Sequence, residues 1–119
     1  MRWVIKQSDL DTIKEQYGEE MSIVGYADEY KLFAIPIPKM YVVLMDSQKI
    51  QLIQLTMNMD VKQVETISIA DIQEVKVSGA VIKKVVITTN SGKIKLSVKP
   101  HAVGIQASQK ALLKALHSL

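Results

Sequence analysis

The chain has 119 residues, enough for one domain with a single hydrophobic core, and 48% of them are apolar, which excludes an intrinsically disordered protein. The absence of cysteine excludes disulfides, thiol catalysis and cysteine-ligated zinc, and is typical of a reducing compartment. Residues 1–60 carry six basic and nine acidic side chains, whereas residues 61–119 carry nine lysines and three acids. The sequence shows no N-terminal secretory signal and no apolar run long enough to span a membrane, so we expect a cytoplasmic protein.

The N-terminal segment predicts a short helix. Leu10, Ile13 and Tyr17 are apolar at helical spacing, Ser8 stands before them as a capping residue, and Gly18 follows as a helix-ending residue. We interpret residues 1–18 as an extension that carries this helix, ahead of a single domain that covers residues 19–119.

From about residue 20 the apolar period changes to the two-residue period of β-strands. Residues 93–99 alternate most regularly, with Ile94, Leu96 and Val98 predicted to face inward and polar residues outward. Polar turns at 46–49 and 90–92, and Gly79, separate neighbouring strands. The strands are predicted at residues 20–26, 41–45, 49–56, 64–69, 71–77, 84–89 and 93–99.

The last predicted element is an amphipathic helix. Ile105, Leu112 and Leu116 form its apolar stripe, and polar residues that include Gln106 and Gln109 are predicted to cover its solvent side. Seven strands are too many for a flat and uncovered sheet, and one helix can close one end of a bent sheet. The sequence therefore predicts a mainly β fold, a bent seven-stranded antiparallel barrel capped by a C-terminal helix.

Three stretches carry a resemblance to a known family. They read YVVLMDSQKIQLI at 41–53, ISIADIQEV at 67–75 and KVVITTNSGK at 84–93. Together with the final helix, they make residues 19–119 resemble the bacterial pleckstrin-homology-like (PH-like) domains. The resemblance implies a PH-like barrel capped by a helix near residues 102–118, and a non-enzymatic role in binding or assembly. The segment that matches the phosphoinositide-binding loop of some relatives, residues 31–39, has two lysines and no arginine instead of a Lys/Arg cluster.

The sequence offers no residues for catalysis. His101 and His117 are sixteen residues apart and nothing stands near them at the spacing of metal ligands, so we interpret both as surface or capping residues. Adjacent acids such as Asp28 and Glu29 point to opposite faces of a strand, whereas paired-carboxylate chemistry needs two groups that converge. We therefore predict that the protein is not an enzyme, with no catalytic residue, no bound metal and no cofactor.

A proline-bearing segment is the first candidate interaction site. Prolines spaced by two residues exclude a central strand, although most of their neighbours are apolar. One interpretation is that the segment folds back and covers an open end of the barrel. The other is that it is an exposed apolar loop, stiffened by its prolines, that contacts a protein or a membrane. Its residues are Lys31, Leu32, Phe33, Ile35, Pro36, Ile37, Pro38 and Lys39.

The lysines of the last two strands are the second candidate site. Lys93, Lys95 and Lys99 share one face of a strand, and Lys84 on the preceding strand is expected beside them. One interpretation is a solvated face whose lysines protect the sheet edge from aggregation. The other is a contact with an anionic membrane or an acidic partner.

Two functions follow as hypotheses. The first is a protein-interaction or self-association module that uses the proline-bearing segment and the exposed sheet edges. The second is peripheral binding to an anionic membrane, at its inner face, through residues 31–39 and the lysine-rich strands. Because Arg2 is the only arginine, the sequence does not predict a specific nucleic-acid reader. A small enzyme is the remaining alternative.

Overall fold

The computed structural model describes residues 5–31 and 38–119. Within these residues helix α1 comes first and helix α2 last, and seven strands lie between them. A short 3-10 turn at Ile69–Asp71 joins the fourth strand to the fifth. The elements are α1 (Gln7–Tyr17), β1 (Ile23–Glu29), β2 (Met40–Met45), β3 (Lys49–Leu55), β4 (Val61–Ser68), β5 (Ile72–Ser78), β6 (Lys83–Thr89), β7 (Gly92–Val98) and α2 (Gln106–His117).

All seven strands belong to one antiparallel sheet with the order β4-β3-β2-β1-β7-β6-β5. Strand β1 pairs with β2 over most of its length, but it pairs with β7 only through Asp28 with Ser97 and Glu29 with Leu96. This two-residue junction divides the sheet into a first half, β1–β4, and a second half, β5–β7. The predicted mainly β fold, with seven antiparallel strands and a helix at each end, is confirmed.

The sheet bends so that its two halves share one core. Val43 and Leu52 of the first half are buried in the same cluster as Val85 and Leu96 of the second half, although β3 and β6 are not neighbours in the sheet. Leu112 of α2 belongs to this cluster too, so the C-terminal helix closes the space between the halves. We call the face of the sheet that lines this cluster the inner face, and the opposite one the outer face.

Helix α1 covers the outer face of the first half. Its Leu10 and Ile13 are buried in a second cluster with Val42 and Leu44 of β2 and Ile53 of β3. Strands β2 and β3 are therefore buried on both faces, which explains their nearly continuous apolar sequences. The described part of the segment predicted as an extension, residues 5–18, is packed against the first half of the sheet. The helix begins at Gln7, and the Lys6 N–H donates to the Asp9 carboxylate at 2.8 Å, so Ser8 is not the cap.

Helix α2 approaches β1 closely enough to require a glycine there. A Cβ atom on Gly25 would lie 2.5 Å from Leu112 Cδ2 and 2.9 Å from Leu112 Cβ. The helix starts at Gln106, later than predicted, because two successive turns precede it: Ala102 N–H donates to the Lys99 carbonyl, and Ile105 N–H donates to the Ala102 carbonyl.

Gln109 is fully buried, so its predicted place on the solvent side of α2 was wrong. Its Oε1 accepts a hydrogen bond from Tyr26 N–H at 2.7 Å, and its Nε2 donates to the carbonyls of Tyr26 at 2.9 Å and Lys99 at 3.1 Å. Tyr26 lies in the part of β1 that is not paired with β7, so its backbone groups on that side need other partners. The side-chain amide therefore replaces a missing strand at the junction between the two halves.

Candidate binding groove

The proline-bearing segment joins β1 to β2, and only its ends belong to the described residues. Leu32, Phe33, Ile35, Pro36 and Ile37 lie outside the described residues. Lys31 and Pro38 are half-buried, and Lys39 is exposed, directly before β2.

The described ends of this segment meet the lysine-bearing strands in one groove. Its volume is about 590 Å³, and it lies on the outer face where β1 joins β7. The groove contains members of both candidate sites, which were predicted as two separate sites. We call it the basic groove; its lining residues are Asp28, Glu29, Tyr30, Lys31, Pro38, Met40, Ile82, Lys84, Ser97 and Lys99.

Strand register explains why these residues converge. Lys84 on β6 lies opposite Ser97 on β7, and Ser97 also lies opposite Asp28 on β1. Directly opposite residues of paired strands share a face, so all three point outward at neighbouring positions. The chain then leaves β1 through Tyr30, whose N–H donates to the Lys95 carbonyl at 3.1 Å. This hydrogen bond keeps the start of the proline-bearing segment alongside β7.

The two carboxylates of the groove are engaged by neighbouring groups. Glu29 lies 3.8 Å from Lys31 Nζ and accepts a hydrogen bond from Lys39 N–H at 3.2 Å. Asp28 accepts a hydrogen bond from the Tyr26 hydroxyl at 2.9 Å. Burial, and secondarily the charge and hydrogen bond of Asp28, raise the pKa of Tyr26 well above its usual range, so this tyrosine stays a donor at all ordinary pH values.

Two lysines of the groove, Lys84 and Lys99, differ from Lys31, which lies beside the Glu29 carboxylate. Lys84 Nζ lies 4.4 Å from the centroid of the Tyr30 ring, a cation–π contact that positions the ammonium without neutralising it. Within the described residues, no carboxylate lies within ion-pair distance of Lys84 or Lys99. The groove therefore combines apolar walls with two ammonium groups that lack an anionic partner in that part of the chain.

An apolar hairpin tip borders the groove and was missed by the sequence reasoning. Val81 and Ile82, between β5 and β6, have 71% and 50% of their surfaces exposed, and Ile82 lines the groove. Gly79 makes this tip possible: its φ of +101° is left-handed, and a Cβ there would collide with the Ile82 carbonyl. The sequence contains a signal for this tip, the adjacent β-branched residues Val81 and Ile82 shortly after Gly79, but the prediction assigned them no role.

Lys93 and Lys95 lie away from the basic groove. The register places both on the outer face with Lys84, as predicted, but further along β7. Lys93 lines a separate cleft of about 230 Å³, in which Glu65 and Asp71 are the acidic residues. Two of the four predicted lysines, Lys84 and Lys99, are thus gathered at the groove.

Neither metal-binding groups nor membrane-crossing helices occur among residues 5–31 and 38–119. No three His, Asp or Glu side chains of these ranges converge as metal ligands. The helices found there are too short and too polar to cross a bilayer.

The sequence matches no protein-family model and none of the curated protein sequences.

Proposed function

We propose that this protein is a cytoplasmic, non-enzymatic binding module of the PH-like type, which holds a segment of a protein partner in the basic groove. The observation that carries the proposal is the convergence of Lys31, Pro38, Lys84 and Lys99, from three parts of the chain, around one concave and partly apolar surface. Binding sites are commonly concave and apolar, with a few polar groups that fix orientation.

The chemistry of the groove indicates the kind of segment that it fits. Ile82, Met40 and Pro38 supply apolar contact, and Lys84 and Lys99 supply positive charge. An exposed ion pair contributes only about 0.2–1 kcal/mol, whereas buried apolar area contributes roughly 25 cal/mol per Å². We therefore expect an apolar side chain to supply most of the affinity, and flanking Asp or Glu residues to supply orientation and selectivity.

Selection from a random peptide library displayed on phage tests this proposal. The immobilised full chain is expected to enrich peptides with an apolar residue flanked by acids. Affinity of the enriched peptides is then measured by isothermal titration calorimetry against the wild type and against Lys84→Glu/Lys99→Glu, which is expected to weaken binding at least tenfold.

The matched control is Lys62→Glu/Lys110→Glu, which makes the same charge change on exposed positions of β4 and α2 that do not line the groove. It is expected to leave peptide affinity within twofold of the wild type. Enrichment of no peptide, or an equal loss in both double variants, would contradict binding in the groove.

A second candidate function is docking on an anionic membrane, and the hairpin tip is the observation that favours it. Val81 and Ile82 are exposed and are followed directly by Lys83 and Lys84. An apolar tip beside lysines suits insertion at the boundary between headgroups and acyl chains. Each lysine near an anionic surface contributes about 1 kcal/mol, so the attraction is weak and sensitive to salt.

Vesicle sedimentation separates the two candidates. A membrane-docking protein is expected to pellet with phosphatidylserine-containing vesicles at low salt, to be released near physiological salt, and to lose binding in Val81→Asp/Ile82→Asp. A groove-binding protein is expected to stay in the supernatant with these vesicles at both salt concentrations. Pelleting with purely zwitterionic vesicles as well would contradict the electrostatic part of the membrane candidate.

A further inference from the structure

Strand β5 forms one edge of the sheet and has an unpaired side. Among the described strands its only neighbour is β6, and the backbone of residues 74–78 makes no hydrogen bond to any other described element. The strand alternates in burial: Val75 and Val77 face inward and are partly buried, whereas Glu74 and Lys76 face outward and are exposed. Helix α2 packs near β5 but makes no hydrogen bond to the backbone of residues 74–78, so this edge is a template for an added strand.

Glu74 and Lys76 have no charged partner within the sheet. Their directly opposite neighbours on β6 are Thr88 and Val86, and no acid or base of the described residues lies within ion-pair distance of either. An unpaired lysine in the middle of an edge strand normally discourages pairing with another strand. A strand that presents a carboxylate opposite Lys76 removes this obstacle.

We propose that β5 pairs antiparallel with β5 of a second copy of this chain, about a two-fold axis at Val75. This register places Glu74 of each copy opposite Lys76 of the other, with side chains about 4.5–5.5 Å apart at their Cβ atoms. It thereby forms two ion pairs on the outer face, and Val75 meets its symmetry mate on the inner face. A two-fold pairing of one strand is isologous, so it closes as a dimer.

The charges select this register over its neighbours. An axis at Glu74 places two carboxylates opposite each other, and an axis at Lys76 places two ammonium groups opposite each other. An axis between residues would set an outward side chain of one copy against an inward one of the other, which the pleat does not allow. The adjacent registers are therefore repulsive or geometrically excluded.

The other edge strand lacks this complementarity. The exposed charges of β4 are Lys62 and Glu65, which lie an odd number of residues apart, so no two-fold pairing that preserves the faces sets them opposite each other. Strand β4 is also irregular at Lys62, where the register with β3 shifts between Gln54 and Leu55. Self-pairing through β5 is distinct from the basic groove and does not depend on it.

Charge exchange at β5 tests the inference. Sedimentation velocity over a wide concentration range is expected to show a monomer–dimer equilibrium for the wild type. Glu74→Lys and Lys76→Glu each set like charges opposite each other twice, so each variant alone is expected to sediment as a monomer. An equimolar mixture of the two variants pairs lysines with glutamates at both positions and is expected to recover the dimer, as is the double variant Glu74→Lys/Lys76→Glu.

The controls use the same sheet. Lys95→Glu changes an outward charge on β7 and is expected to leave the dimer unchanged, and so is the groove variant Lys84→Glu/Lys99→Glu. All substituted positions are at the surface or half-exposed, and circular dichroism with thermal unfolding verifies that each variant is folded. A wild type that is monomeric at every concentration overturns the inference, as does a dimer that survives Glu74→Lys. A mixture that stays monomeric overturns the proposed register.

Discussion

Strands β2 and β3 have both faces covered, whereas β6 and β7 have only the inner face covered. In the first half, Val43 packs into the inner core and its neighbour Leu44 packs under α1, so adjacent residues are both buried. In the second half, Leu96 is buried while its neighbour Lys95 is exposed. The two regions use the same antiparallel pairing but differ in the number of covered faces.

This difference accounts for which strands carry charged residues. An outer face that meets solvent accepts lysine at every second position, and β7 carries Lys93 and Lys95 in that pattern. An outer face under a helix accepts only apolar residues, and β2 has none but apolar or aromatic ones. Exposure of the outer face thus permits the alternating lysines of β7, and the groove gathers Lys84 and Lys99 where the two halves meet.

The largest expected effect comes from removing an outer-face side chain of the first half. Leu44→Ala removes a fully buried side chain under α1 and is expected to lower the free energy of unfolding by about 2–5 kcal/mol. The matched outer-face change in the second half, Lys95→Ala, is expected to alter it by no more than about 0.5 kcal/mol. Urea unfolding followed by circular dichroism measures both values. Equal effects would show that α1 does not shield β2.

The next effect concerns the amide that bridges the halves. Gln109→Leu keeps the side-chain volume but removes the partner of part-buried backbone groups of Tyr26 and Lys99. Because water can reach part-buried groups, the substitution is expected to lower the free energy of unfolding by about 1–3 kcal/mol in total. Lys110→Leu, on an exposed position of the same helix, is the control and is expected to be nearly neutral. Hydrogen exchange measured by NMR is expected to show faster exchange of the Tyr26 amide in the Gln109 variant only.

A somewhat smaller effect is expected at the glycine under α2. Gly25→Ala forces a methyl group against Leu112, an overpacking that costs about 1–3 kcal/mol, partly offset by a gain of roughly 0.4–1 kcal/mol from a stiffer unfolded chain. Leu112→Ala removes the Cδ2 atom that lies 2.5 Å from the new methyl group but keeps the Cβ at 2.9 Å, so it relieves part of the overlap. A double-mutant cycle by urea unfolding is therefore expected to give a favourable coupling between the two substitutions, and strict additivity would contradict the close approach of the helix.

The smallest effect is a dependence on alkaline pH. Burial and Asp28 raise the pKa of Tyr26 in the folded state above the value of about 10 that an unfolded tyrosine has. The unfolded chain then loses a proton that the folded chain keeps, so stability is complete below pH ~10 and falls as the pH rises further. Tyr26→Phe is expected to make this fall shallower in urea unfolding measured across that range. An unchanged slope would contradict the buried hydroxyl; the remaining slope includes Tyr41, whose pKa is also raised by burial and by Glu29 and Glu65.

The strands and helices were predictable because each depends on a local period. Alternation along residues 93–99 indicated β7, and the helical spacing of Leu10 and Ile13 indicated α1. Burial of β2 on both faces was harder to predict. The apolar run at 41–45 indicated a strand, but which element covers its outer face depends on the tertiary fold and not on local sequence.

The groove was only partly predictable, because it depends on register. Lys84 and Lys31 were each singled out, yet only the short β1–β7 junction brings them to one surface. Gln109 was misplaced for a similar reason. A glutamine on a helix is normally exposed to solvent. Gln109 is buried because Tyr26 of β1 has no partner on β7, and the sequence does not show where these two strands separate.

The hydrogen bonds of Gln109 also bear on the order in which the protein is made. They join residues 83 positions apart in the chain, Tyr26 in β1 and Gln109 in α2. A polypeptide that emerges from the ribosome N-terminus first must therefore hold the open edge of β1 unpaired until α2 has been synthesised. Contacts between such distant residues slow folding, so we expect the closure of this sheet to be a late event, timed by α2.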